Sequence, residues 1–128
     1  MGNIVTNIGG VLSAVTNTVA YTDSSAVTIG TIPANAQIID INIDVTTAFN
    51  AVTTNTVTVG KSGSAAAYVA STSVGSAGRA SVASTGVYSA WADVGSAEVP
   101  VTATYSQTGT AASAGAMRVT VVYRSPAP

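Results

Sequence analysis

The sequence predicts an all-β fold, a single jelly-roll-like β-sandwich of about eight strands. Valine and threonine, whose branched side chains suit a pleated sheet, occur 19 times each, whereas leucine occurs once. Apolar and polar residues alternate in short segments spaced roughly ten residues apart, and turn-forming residues bound each segment. This pattern is typical of a sandwich or small barrel, although strand number alone leaves the connectivity open.

The first part of the chain predicts an arm followed by two strands. Residues 1–13 are expected to form an N-terminal arm or an edge strand, and a β-sandwich domain is expected over residues 14–124. The candidate strands are Val15–Thr22 and Ala26–Ile32. In the first of them, three side chains are expected to point inward: Val15, Val19 and Tyr21.

The clearest alternation lies in Gln37–Thr46. Four apolar side chains are predicted to share one face: Ile39, Ile41, Ile43 and Val45. The other face carries Asp40 and Asp44, with Asn42 between them. The two carboxylates would lie about 13 Å apart on a strand, which is too far for a catalytic pair. We therefore expect a solvated face, because a Ca²⁺ ion would need further oxygen ligands from a neighbouring strand or subunit.

The rest of the chain supplies the remaining strand candidates. Ser71–Gly86 has three glycines and no sustained period, so it predicts a long loop or a poorly regular strand pair. Residues 125–128 are expected to form an exposed tail, because Pro126 and Pro128 cannot donate to a β-ladder. The candidate strands are Asn55–Gly60, Ala66–Ala70, Val87–Ala92, Val99–Ser106 and Met117–Arg124.

The chain is poor in the side chains that build active sites. Nine of 128 residues are charged, and there is no histidine and no cysteine. Ser-His-Asp and Cys-His nucleophiles are therefore impossible, and zinc lacks its preferred ligands. The sequence predicts that the protein is not an enzyme and that it has no cofactor site and no metal site.

Charge and hydrophobicity also bear on partners. The four basic residues are scattered, so we expect no nucleic acid partner.

No Lys or Arg precedes residue 61, and the longest apolar run is Ala65–Ala70, so neither a signal peptide nor a membrane-spanning segment is predicted. A net charge of −1 favours association, and ordered assembly would explain so weakly charged a surface.

Three stretches carry a resemblance to a known class of proteins: Thr28–Asn50 (TIGTIPANAQIIDINIDVTTAFN), Thr54–Gly60 (TNTVTVG) and Tyr105–Tyr123 (YSQTGTAASAGAMRVTVVY). They resemble small structural proteins of tailed bacteriophages, in particular those that decorate or cement the phage head. The similar motifs are strand and turn signatures without a chemical site. No functional residue can therefore be transferred from the resemblance.

The resemblance implies a virion structural protein at the capsid surface that stabilises the exterior of the head. Its expected partners are the major capsid protein and itself, since decoration proteins of this kind are usually trimers. The alternative is a head-fibre or tail-tip module that binds host-surface glycan.

Two sets of residues follow from these hypotheses. The arm and the Ser71–Gly86 segment are the candidate contacts with capsid or neighbouring subunits. Their proposed interface residues are Ile4, Val5, Ile8, Val11, Leu12, Val74 and Arg79. Under the alternative, Tyr88 and Trp91 would stack on a sugar, although aromatic rings in a small sandwich more often fill the core or an interface.

Overall fold

The structure is a computed structural model that describes residues 12–125. It contains eight strands and one short helix, α1 (Tyr88–Trp91). The strands are β1 (Leu12–Ala20), β2 (Val27–Ile32), β3 (Gln37–Thr47), β4 (Thr54–Lys61), β5 (Ser64–Ser73), β6 (Gly78–Ala80), β7 (Val99–Thr108) and β8 (Ala116–Arg124).

The strands form two antiparallel sheets of four. Sheet I has the order β1-β8-β3-β6, and sheet II has the order β2-β7-β4-β5. In sheet I, β1 pairs with β8 and β3 pairs with β6; in sheet II, β2 pairs with β7 and β4 pairs with β5. The chain therefore resembles one long antiparallel hairpin that is folded so that successive strand pairs lie in alternate sheets. This is the connectivity of an eight-stranded jelly roll, so the predicted fold class is confirmed.

Both sheets contribute their inner faces to one continuous core. The alternation predicted for Val99–Ser106 and Met117–Arg124 is present, and β7 begins at Val99 beside Pro100, as a proline early in a strand allows. Short β-branched side chains dominate because the two layers lie only about 10 Å apart. The completely buried side chains include Ile32, Ile41, Ile43, Val57, Val59, Val101, Met117, Val119 and Val121.

The inward face of β3 differs from the prediction at its start. A register shift against β8 falls between Ile38 and Asp40. As a result Ile38 is buried, and Ile39 is 42% exposed instead of facing the core. A β-bulge adds one residue and so reverses the alternation on one side of it. Tyr21 is also exposed rather than inward, because β1 ends at Ala20 and Tyr21 lies in the following turn.

Two other segments correct the predicted elements. Val87–Ala92 is not a strand, since it contains α1, whose Trp91 donates a hydrogen bond from Nε1 to the Tyr68 carbonyl at 2.8 Å. Ser71–Gly86 holds the end of β5 and the three-residue β6, which pairs with β3 instead of with β5. The predicted strand over Ala66–Ala70 is the middle of the longer β5.

The connection between β3 and β4 closes one end of the sandwich. Phe49 is buried there, and its ring centroid lies 4.4 Å from that of Tyr105. The Asn50 Oδ1 accepts hydrogen bonds from the backbone N–H groups of Ser113 (2.8 Å) and Ala114 (3.1 Å). Gly115 has a φ of 149° and lies so close to the Phe49 ring that a Cβ would overlap it. The phenyl ring therefore requires glycine at this position.

We expect Gly115→Ala to destabilise the protein by roughly 2–4 kcal/mol, because the methyl group would displace the Phe49 ring and the backbone φ disfavours an L side chain. Chemical unfolding measures this. Gly75→Ala is the matched control, because its added Cβ would be no closer than 3.9 Å to the Ser73 hydroxyl, and it should change stability by less than about 0.5 kcal/mol. Equal losses in the two variants would contradict the proposed clash.

Candidate functional site

The outer face of sheet I carries most of the charges of the sandwich. In the ladder, Arg118 lies opposite Asp44, and Asp44 lies opposite Arg79 on its other side. Arg79 forms an ion pair with Asp40 at 3.0 Å, and both side chains are exposed. We call this surface the charged face; its residues are Asp40, Asp44, Arg79, Arg118 and Arg124.

The outer face of sheet II is different, because opposed hydroxyl groups replace the charges. On β4 and β7, Thr54 lies opposite Thr108, and their Oγ1 atoms are 2.7 Å apart. Thr58 lies opposite Thr104 in the same pair of strands. We call this surface the hydroxyl face; its residues are Thr54, Thr56, Thr58, Thr102, Thr104, Ser106 and Thr108.

The hydroxyl face has the chemistry of a protein contact. Its hydroxyl groups both donate and accept hydrogen bonds, so they adapt to a partner's polar groups. No charge needs to be removed from water when these seven residues are covered, and the centres of protein interfaces are depleted of charge for that reason. This surface was not among the sites predicted from the sequence, although alternate threonines mark it in Thr54–Thr58 and in Thr102–Thr104.

A cleft of about 340 Å³ lies beside the charged face. Tyr88 is 51% exposed there, and its hydroxyl donates a hydrogen bond to the Val82 carbonyl at 3.1 Å. The Arg79–Asp40 ion pair forms part of the same wall. The lining residues are Asp40, Arg79, Ser81, Val82, Ala83 and Tyr88.

The proposed interface residues have different positions in the structure. Leu12 begins β1 and is 54% exposed, and Arg79 is exposed on β6. Val74 is completely buried, because the chain turns inward after β5, where its backbone N–H donates to the Asn55 carbonyl. Its side chain therefore offers no surface to a partner. Four proposed contacts lie outside the described residues: Ile4, Val5, Ile8 and Val11.

The two rings of the glycan hypothesis do not form a shared exposed platform. Trp91 is only 6% exposed, and its indole N–H is bound to the Tyr68 carbonyl. The Tyr88 ring meets the Trp91 ring edge-on, with centroids 4.6 Å apart. The buried Trp91 ring thus packs against the inner side of the Tyr88 ring, and Tyr88 is the exposed ring of the pair.

Residues 12–125 lack metal-binding and membrane-spanning features of the following kinds. These residues contain no group of three or more acidic side chains placed to hold a metal ion. Across the same part of the chain, no helix has the length and apolar character needed to cross a membrane.

Two buried tyrosines differ in their hydrogen bonding. The Tyr105 hydroxyl donates to Asn55 Oδ1 at 2.7 Å, whereas the Tyr68 hydroxyl has no hydrogen-bond partner among the described residues. Burial raises the pKa of both phenols above the usual value of 10.0, because the phenolate would lose its hydration.

Comparison with known proteins supports the fold. The chain is similar to a chain in a solved structure, the cyanophage Pam1 capsid asymmetric unit, with a TM-score of 0.71 and 23% sequence identity. The match covers 98% of this chain and 93% of that chain. No protein-family model matches the sequence, and no curated protein matches it. At this level of identity the likeness establishes a shared fold and no more.

We expect Tyr68→Phe to leave stability unchanged or to raise it by about 1 kcal/mol at pH 8, because it removes an unpaired buried hydroxyl. Tyr105→Phe should instead cost about 1 kcal/mol, because it removes a hydrogen bond. Urea unfolding measures both changes, and a loss of stability in Tyr68→Phe similar to that in Tyr105→Phe would contradict the prediction.

The same tyrosines predict a loss of stability in alkali. Their raised pKa values keep the folded state protonated while the unfolded chain begins to ionise near pH 10, so stability is full below that pH and falls above it. Urea midpoints measured from pH 8 to pH 11 test this. Either phenylalanine variant should show a smaller decline than the original protein, and an undiminished decline in both would refute the assignment.

Proposed function

We propose that this protein is a structural component of a bacteriophage virion, a decoration or cement protein that binds the exterior of the capsid as a homotrimer and performs no catalysis. The observation that carries this proposal is the likeness to the Pam1 capsid chain, which extends over 98% of one chain and 93% of the other. In this chain the jelly roll occupies residues 12–124. The contribution of such a chain to a capsid therefore rests on the surface and termini of this fold.

Within the proposal, the hydroxyl face contacts the shell. It can be covered without desolvating a charge, whereas covering the charged face would remove the Arg79–Asp40 ion pair from water. Small side chains also let two backbones approach closely. The charged face would accordingly remain toward solvent and keep the assembled surface hydrated.

Trimerisation would strengthen a contact that is weak in a single copy. Three hydroxyl faces held in one particle bind as linked sites, so the second and third contacts form at a high effective concentration. A ligand that binds the assembled shell and not its dissociated subunits stabilises the shell by mass action. Cementing of this kind needs no reactive group.

The glycan-binding alternative has weaker support. The cleft beside Tyr88 has an exposed ring and an ion pair, but Trp91 is committed to the core. A head-fibre or tail-tip role would therefore depend on one tyrosine. The charge-free hydroxyl face favours a protein partner instead.

Binding to shells tests the proposal and the assignment of faces. Heads of the cognate phage that lack this protein are mixed with it, and the amount that co-sediments is measured. Thr104→Arg places a charge in the middle of the hydroxyl face and should weaken binding roughly tenfold or more. Thr120→Arg is the matched control, because Thr120 is also a half-buried outward residue on a central strand, in sheet I. It should bind like the unmodified protein.

The other outcomes are distinct. Loss of binding in Thr120→Arg with normal binding in Thr104→Arg would reverse the assignment of faces and retain the cement role. Failure of the unmodified, folded protein to bind any shell would refute that role.

A further inference from the structure

One edge of sheet I is incompletely paired. Strand β3 is 11 residues long, but β6 is only three residues long and pairs with Ile43, Asp44 and Val45. Among residues 12–125, no strand lies beside residues 38–42 on this side of β3. An unpaired edge of this length is a template for another strand. We call residues 38–42 the open edge.

A cleft and exposed apolar surface lie next to the open edge, with residues 81–83 and α1 on the far side of the cleft. The 340 Å³ cleft has Asp40 of the open edge as one wall and Tyr88 as another. Ile39, which the β-bulge turns outward, precedes Asp40 and is 42% exposed. An added strand would therefore gain backbone hydrogen bonds and cover two exposed apolar side chains.

The chain outside the structure begins near this site. Leu12 lies opposite Arg124 on β8, and Arg124 lies opposite Gln37, so β1 starts at the same end of sheet I as the open edge. Residues 1–11 contain no charged side chain. Within them, residues 4–8 (IVTNI) are rich in β-branched residues, and Gly9 and Gly10 follow in the sequence.

The length of the link decides which copy of the chain is involved. A strand on the open edge lies three strand spacings from β1, about 14 Å in a straight line. Four fully extended peptide steps from Ile8 to Leu12 also span about 14 Å. No chain length remains for the link to pass around the ends of β3 and β8. The open edge is therefore better filled by residues 4–8 of a second copy.

We propose that residues 4–8 of each protomer add a strand to the open edge, residues 38–42, of a neighbouring protomer. This inference rests on the proposed trimer and states how the trimer is held together. A head-to-tail exchange of arms forms a closed ring when the repeated rotation from one copy to the next returns to the first copy. The uncharged arm also passes the Arg79–Asp40 ion pair without repulsion.

The chain has no cysteine, so introduced thiols report unambiguously. Two full-length proteins of different tagged mass are made, one with Thr6→Cys and the other with Ile39→Cys. They are unfolded, mixed, refolded together and treated with a short bismaleimide. A cross-linked heterodimer on a denaturing gel is the expected product. Thr28→Cys in place of Ile39→Cys is the matched control, because Thr28 is also exposed but lies on β2, an edge strand of the other sheet that contacts β1.

Every outcome decides the proposal. A heterodimer with Ile39→Cys and not with Thr28→Cys supports the exchange. Equal cross-linking in both mixtures, or none in either, overturns it. A double variant, Thr6→Cys with Ile39→Cys, that yields cross-linked monomers and no oligomers also overturns it, because the arm would then occupy the edge of its own chain.

The cross-link is measured on free protein in solution, so it is independent of shell binding. Exchange of arms without binding to shells would refute the cement role alone. Binding to shells without the heterodimer would refute the exchange alone.

Discussion

The two sheets pack closely face to face, and this packing sets the size of the side chains between them. Their inner faces carry mainly Val, Ile and Ala, and each fully buried Val or Ile side chain contributes about 1.5–3 kcal/mol. Such short side chains hold the layers together but leave the ends open. The larger rings that close the structure come from connections: Phe49 from the segment between β3 and β4, and Trp91 from α1. The Phe49 ring leaves no room for a side chain at residue 115, which is therefore glycine.

The same alternation that builds the core also determines the two outer faces. On β4 and β7 the outward positions are threonine and serine, and on β3, β6 and β8 they include the charged residues. The protein therefore presents one hydrated face and one that can be covered without separating a charge from water. This difference is consistent with the proposed assembly of a molecule that has nine charged residues. It also gives the proposed contact an orientation on a shell.

The order of strands in sheet I explains why one edge of β3 is largely unpaired. Because β3 pairs with β8 along its length and with β6 over three residues, its other edge is mostly open. The bulge at Ile39 and the Arg79–Asp40 ion pair lie at that edge, and both are features that discourage indiscriminate strand pairing. An arm from another copy would satisfy the edge with a specific partner. Under the two proposals, the open edge would serve trimer formation and the hydroxyl face would serve shell binding.

The fold class, most strand positions and most of the core were predictable from the sequence, because the alternation of side chains is a local property that persists in the folded sheet. Ile41, Ile43 and Val45 were predictable for that reason. The exceptions depend on contacts between distant parts of the chain. The bulge that exposes Ile39 depends on pairing with β8, and the helix at Tyr88–Trp91 contacts β5 through the bond from Trp91 to Tyr68. The hydroxyl face requires strands that are 54 residues apart at Thr54 and Thr108, and no local pattern specifies that pairing.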